Sequence, residues 1–300
     1  MRIGLMFGGA DASLDGAFAQ ARRAAQAGLA SFWLPNIFGL DAITAAALVG
    51  REVAGVELGT AVVPSYPRHP VALAQQALTA AAATGGRFTL GIGLSHKIVI
   101  EDLFGLDYSK PARHMREYLE VLTPLLRGEP AKFQGEEYRV NVGIQVPGAT
   151  AVPLLVAALG PVMLGIAGRL ADGTITWMTG PDTLERHIVP TLSRAASAAG
   201  RPAPRVVAGL PIALTHDVPA AREVAGKFFE IYGSLPSYRA MLDREGAAGP
   251  ADVALLGDEA SLRAQIDRLR DAGVTDLDAA VAPVDEGAEA RTLEFLASLA

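Results

Sequence analysis

Eight short apolar runs recur along the chain, at residues 3–7, 31–34, 56–63, 88–92, 153–158, 174–178, 206–213 and 274–282, each too short for a helix and each ending in polar or turn residues. They are rich in Val, Ile, Leu and Thr without polar alternation, the pattern of parallel strands buried on both faces. Helical patterns lie between them. Leu14, Phe18, Ala21, Ala25 and Leu29 repeat at helical spacing behind an Asp11/Ser13 cap with Gly28 near the end, and Pro70 opens an Ala/Gln-rich segment that Gly85 and Gly86 close. Further helices are expected over 161–170, 182–199, 219–232, 259–272 and 286–299. At 300 residues either one barrel or two doubly wound domains is possible. Eight strands alternating with helices, and no linker of disordered composition, predict an α/β fold: a single (β/α)8 TIM barrel spanning residues 1–300.

Two gaps break the rhythm, giving insertions after strands 4 and 7. Residues 95–152 hold a helix over 111–126 and a hairpin over 131–142. Residues 215–256 hold helical material with Tyr232, Tyr238 and a Gly-rich turn at 246–249. Both follow strand C-termini, where barrel active sites are built, so substrate selection is expected there.

Composition closes several routes. Half the residues are apolar and 19% are charged, ample for a core. The absence of cysteine removes disulfides, thiolate zinc sites, iron–sulfur clusters and cysteine nucleophiles, so redox chemistry would have to come from a bound cofactor. A net charge of −6 has the wrong sign for general nucleic-acid binding. The uncharged stretch 140–168 could span a bilayer by length alone, but Asn141, Gln145, Pro147, Pro153, Gly160 and Pro161 divide it into turn, strand, turn and helix. Gly8, Gly9 and Asp11 end the first apolar run too early for a secretory leader. The expectation is a complete cytoplasmic protein with a small-molecule substrate and neither nucleic-acid nor membrane partners.

Residues 91–96 begin like a dinucleotide fingerprint but carry His96 where the third glycine should stand, and the phosphate-loop, nucleophile-elbow and HExxH motifs do not occur. His69, His96, His114, His187 and His216 show no metal-ligand spacing, so no metal is expected. Small residues do gather at three strand ends, in GTAVVP (59–64), LGIGLSHK (90–97) and AALGP (157–161). They are compatible with a flat cofactor over the barrel mouth, and equally with relief of packing at βα turns. Gly160 stands ahead of a helix whose free N–H groups can hold an anion or a ring edge. Arg113, Arg116, Glu117 and Tyr118 read either as a clamp for an acidic ligand or as a solvated helix face. Trp33 and Trp177 read as core.

Together with AGRLADGTITW and LGDEASLRAQIDRLRDAGVTDL, these strand ends make the chain resemble the luciferase-like monooxygenase superfamily, and within it the actinobacterial branch that uses the deazaflavin coenzyme F420. The resemblance implies a ring at the C-terminal mouth of the barrel, a non-proline cis peptide at Ala61–Val62, and a homodimer. It places Ala157, Ala158, Leu159 and Gly160 along the ring and its side chain, Ser95 and His96 in a loop near the cofactor, Asn36 after the second strand, and Thr179 and Gly180 after the sixth. Sugar-phosphate dehydrogenases of the superfamily carry an Asp-His pair after the second strand and a Glu after the fourth. Here Asn36-Ile37 and His96 stand in those places, and nothing at Ile37 can remove a hydroxyl proton. The expected activity is therefore reductive, hydride passing from reduced F420 to an activated C=C or C=N bond, with His96 as the candidate catalytic residue, donating a proton or only a hydrogen bond to the cofactor. Tyr66, His69, Glu101 and Tyr108 are reserves. An FMN-dependent monooxygenase and a catalytically silent cofactor-binding barrel are the alternatives.

Overall fold

The computed structural model describes residues 1–9 and 11–300. Its strands are β1 (Arg2–Met6), β2 (Ser31–Leu34), β3 (Glu57–Thr60), β4 (Val63–Pro64), β5 (Phe88–Gly93), β6 (Ala131–Gln134), β7 (Arg139–Val142), β8 (Leu154–Val156), β9 (Gly173–Trp177), β10 (Arg205–Leu214), β11 (Leu255–Gly257) and β12 (Asp276–Val281). Its helices are α1 (Leu14–Gln26), α2 (Ala42–Glu52), α3 (Pro70–Ala83), α4 (Pro111–Leu126), α5 (Pro161–Leu170), α6 (Pro181–Thr183), α7 (Val189–Ala198), α8 (Val218–Phe228), α9 (Glu230–Ser234), α10 (Pro236–Glu245), α11 (Glu259–Asp271) and α12 (Ala288–Ala297). The parallel sheet runs β1, β2, β3 with β4, β5, β8, β9, β10, β12 and back to β1, where Gly4 pairs with Asp278. It is the expected closed (β/α)8 barrel. Each of the eight apolar runs supplies one wall.

The run at 56–63 is divided in two. A cis peptide joins Ala61 to Val62, as the resemblance implied, and separates β3 from β4. Thr60 bridges the break, its Oγ1 accepting from Gly91 N at 2.9 Å and donating to Gly91 O at 2.8 Å. The helix expected over 182–199 is also interrupted. Pro190 has no N–H to give to the preceding turn, and a π-helical segment, Leu184–Ile188, joins α6 to α7 there. Helix α2 and the short β11, which lengthens the rim beside β10, are additions to the sequence reading.

The region after the fourth strand is less of an insertion than its length suggests. Helix α4 packs between α3 and α5 as an ordinary barrel helix. The extra material is the loop before it and the antiparallel hairpin β6–β7 after it. Glu117, only 3% exposed, pins that hairpin by accepting from the amides of Glu136, Glu137 and Tyr138 at 3.2, 2.8 and 3.2 Å. A side chain at Gly135 would collide with its carboxylate. Arg113 pairs with Glu136 and Glu137, and Tyr118 donates to Arg68 O at 3.0 Å. The cluster at 113–118 is thus an internal brace. The second insertion sends α9 and α10 across the barrel mouth, where Tyr232 and Tyr238 pack edge to face at 5.3 Å.

Inside the barrel the residues fall into layers. The lowest is charged and fully paired. Arg205 meets both oxygens of Asp276 at 2.6 and 3.0 Å and Glu57 at 2.7 Å; Arg2 adds a bond to Glu57 at 2.6 Å, and Thr89 another at 2.7 Å. Burial pushes the Glu57 carboxyl up, but Arg205, Arg2 and Thr89 outweigh it and hold it below its usual range. Above Arg205 lies the ring of Trp33, 5.3 Å from the guanidinium carbon. Trp33 packs with Leu155, Ile175 and Val207, and its N–H donates to Ser31 Oγ at 2.8 Å.

Candidate cofactor site at the barrel mouth

Above the tryptophan layer the barrel is not filled. Ala61, Gly93, Ala157 and Ala280 leave the upper lumen open, and it continues upward as a cavity of about 1580 Å³. That exceeds the volume of most small-molecule pockets, and its position at the strand C-termini is where barrel enzymes place their chemistry. A Cβ at Gly93 would stand 2.8 Å from Val62 Cγ2 and 3.2 Å from Ala157 Cβ, so only glycine allows β4, β5 and β8 to converge this closely. Aromatic side chains from the second insertion form the roof, among them Phe228, Phe229, Tyr232 and Tyr238.

Most of the residues singled out from the sequence meet here. Asn36, Ala61, Val62, Ser95, His96, Ala157, Leu159 and Gly160 all line the cavity. Asn36 also accepts from Ala42 N at 3.0 Å, which fixes the turn after β2. Ser95 has a positive φ of 62°, and its carbonyl accepts from Tyr108 at 3.3 Å. Gly160 precedes α5, whose first turn has no side-chain cap, so backbone N–H groups are free at the cavity edge. His96 lies 5.6 Å, centroid to centroid, from Tyr238 and is half-buried; that burial lowers its pKa and favours the neutral imidazole.

Three of the singled-out residues lie elsewhere. Ala158 points into the core between sheet and helices. Thr179 is buried beside the carbonyl of Trp177, and Gly180 packs against Glu245, whose carboxylate accepts from the amides of Asp182 and Thr183 at 3.1 and 2.7 Å. Trp177, read as core, lines the cavity instead.

Three other histidines have roles of their own. His69 caps α3, His187 bonds Leu159 O at 2.8 Å, and His114 lies 2.9 Å from Ser65 Oγ and stacks on Tyr66 at 3.8 Å. Burial lowers the His114 pKa to about 4. Among the described residues no group of three His, Cys, Asp or Glu is arranged to hold a metal, and no helix is long and apolar enough to cross a membrane.

Sequence reasoning missed Asp278. It lines the cavity, its residue is 0% exposed, and among the described residues neither carboxylate oxygen has a hydrogen-bond partner. Burial, with Asp276 nearby, raises its pKa well above the ordinary carboxyl value. The signal was present in Thr275-Asp276-Leu277-Asp278, two acids at strand period on the inward face of an apolar run.

Fold and site together define a (β/α)8-barrel protein with a deep, mainly apolar cavity at the strand C-termini. More narrowly, the chain belongs to the luciferase-like monooxygenase family, whose model matches residues 2–290. It is 30% identical over 188 residues to a Mycobacterium tuberculosis protein provisionally named a coenzyme F420-dependent oxidoreductase; the match covers 58% of this chain and 54% of that one. The chain thus spans about half the length of that relative. In fold it is similar to the F420-dependent tetrahydromethanopterin reductase of Methanopyrus kandleri (TM-score 0.82, 22% identity, 99% of this chain and 97% of that one). It is also similar to the FMN-bound oxygenating component of 3,6-diketocamphane monooxygenase from Pseudomonas putida (TM-score 0.78, 17% identity, 99% and 96%).

Proposed function

We propose that the protein is a coenzyme F420-dependent oxidoreductase that reduces an activated C=C or C=N bond of a small metabolite. The observation that carries this reading is the open upper lumen, floored by Ala61, Gly93 and Ala157 and lined by eight of the residues the family resemblance had assigned to the cofactor. A flat tricyclic ring fits such a floor, where a larger side chain at Gly93 would collide with Val62. The name of the M. tuberculosis relative supports the deazaflavin, and the likeness to the M. kandleri reductase supports the reductive direction.

When bound, the reduced deazaflavin supplies the hydride. The protein's part is positioning, exclusion of water and hydrogen bonding to the acceptor. Ala61, Val62 and Ala157 would support the ring, and the free amides that open α5 would hold an anionic group of the cofactor. Those amides matter because the cationic side chains along the cavity are already engaged, Arg23 with Glu289 at 3.3 Å and Lys97 with Glu101 at 3.6 Å. The acidic net charge gives no long-range attraction for a polyanion, so binding must rest on such local contacts. His96, neutral at pH 7, acts as a hydrogen-bond donor to the acceptor or cofactor and not as a stored acid. Ile37, 64% exposed on the rim, offers no base, which disfavours alcohol oxidation. The α9–α10 roof closes over the substrate side.

FMN-dependent monooxygenation is the second reading, favoured by the likeness to the FMN-bound monooxygenase. Anaerobic stopped-flow mixing of the protein–reduced deazaflavin complex with a panel of enones and cyclic imines tests the proposal. Substrate-dependent return of the oxidised deazaflavin absorption is expected. A rate no higher than that of buffer across the panel would leave a silent cofactor-binding barrel.

A further inference from the structure

Resting on the reading that a flavin-like ring occupies the mouth, we propose that Asp278 recognises that ring by a pair of hydrogen bonds from its COOH group to a lactam edge, the adjacent N–H and C=O of a pyrimidinedione.

The carboxyl is placed for this. In register with Asp278 stand Gly4 on β1 and Gly209 on β10, so neither neighbouring strand offers it a side-chain partner. The charged groups nearest to it, Asp276 on its own strand, Arg205 on β10, Arg2 on β1 and Glu57 on β3, belong to the layer beneath and are bonded to one another. On the cavity side Met6 and Trp177, both uncharged, approach Gly209 opposite Asp278, and the two cations that line the cavity, Arg23 and Lys97, are paired with Glu289 and Glu101. A fully buried carboxylate with no cation is strongly unfavourable, so the group carries its proton. A protonated carboxyl presents one donor and one acceptor side by side. A lactam edge presents the same two functions in reverse order, and the pair satisfies both Asp278 oxygens at once. An apolar side chain of similar size would fill the position with no unsatisfied atom, so the orphaned group is explained by what it meets when the ring is seated.

The test is equilibrium binding of the deazaflavin and, separately, of FMN to the wild type, Asp278→Asn and Asp278→Leu, followed by fluorescence from about pH 6 to about pH 9. Asn keeps a donor and an acceptor and should bind within about threefold of wild type, with no pH dependence from this position. Leu should bind at least about tenfold more weakly while melting no lower than wild type, because it removes a buried unsatisfied group. Wild-type affinity should fall as rising pH removes the proton. Equal binding by wild type and Leu, or an Asn variant that keeps the wild-type pH slope, would overturn the assignment while leaving the ring site in place. Failure of the wild type to bind either ring would overturn the reading of the mouth, and this assignment with it. Preference for one ring identifies the cofactor, since both carry the edge that Asp278 would recognise.

Discussion

Asp276 and Asp278 stand two residues apart on β12, both facing into the barrel, one 1% and the other 0% exposed. Asp276 is held by Arg205 through two bonds, by Thr275 at 2.7 Å and by Arg2 at 3.4 Å, whereas Asp278 has no partner among the described residues. One strand thus carries a structural acid below and an unsatisfied acid above, and burial does not tell them apart. The difference lies in the facing strands, which offer arginines at the lower level and glycines at the upper. It divides the barrel into a lower end closed by ion pairs and an upper end that opens into the cavity.

The largest effect should come from breaking the lower layer. Asp276→Leu leaves the partly buried Arg205 guanidinium with Glu57 and a long contact to Thr89, and should lower the unfolding free energy by about 3 kcal/mol, read by chemical denaturation. Asp278→Asn should have the opposite sign at neutral pH, because the amide has no proton to lose. Its pH dependence is specific. The folded pKa of Asp278 is raised, so its contribution to wild-type stability is intact below the unfolded value near 3.8 and is lost as pH rises towards the folded value. The Asn variant should therefore gain on wild type in Tm as pH increases above about 4, and a constant difference would contradict a buried neutral acid.

A third effect lies beside the barrel. With a folded pKa lowered to about 4, His114 makes the protein less stable as pH falls from its ordinary value near 6.5 towards that point, because only the unfolded chain takes up the proton. His114→Phe should flatten this acid limb by about 2 kcal/mol between pH 6 and 4. Smallest in stability is His96→Phe, which should leave Tm within about 2 °C of wild type yet lower kcat by about tenfold or more in the reductase assay. Wild-type turnover in that variant would remove His96 from the mechanism.

Fold and site differed in how far they could be read from sequence. The barrel was legible because its strands are buried on both faces and each is punctuated by turn residues. Helix α2 was not, since 42–52 is alanine-rich and largely apolar, with no polar face to mark a helical period. The upper floor was legible as small residues at strand ends, and the family resemblance gave those residues a purpose. Asp278 was not, because nothing local decides which of two alternating acids is paired: Arg205, which chooses Asp276, is 71 residues away in sequence. The misplaced Thr179 and Gly180 have a similar cause. Glu245, 63 residues beyond Asp182, draws the turn after β9 towards α10 and away from the cavity.

The open mouth above the Trp33 layer is proposed to hold a deazaflavin ring. Equilibrium titration of the wild-type protein with coenzyme F420 and with FMN, followed by quenching of ligand fluorescence, tests it most directly. Saturable, stoichiometric binding of F420 at micromolar or lower Kd is expected, with at least about tenfold weaker binding of FMN. Tight FMN binding with negligible affinity for F420 would contradict it and make the protein an FMN-dependent member of its family.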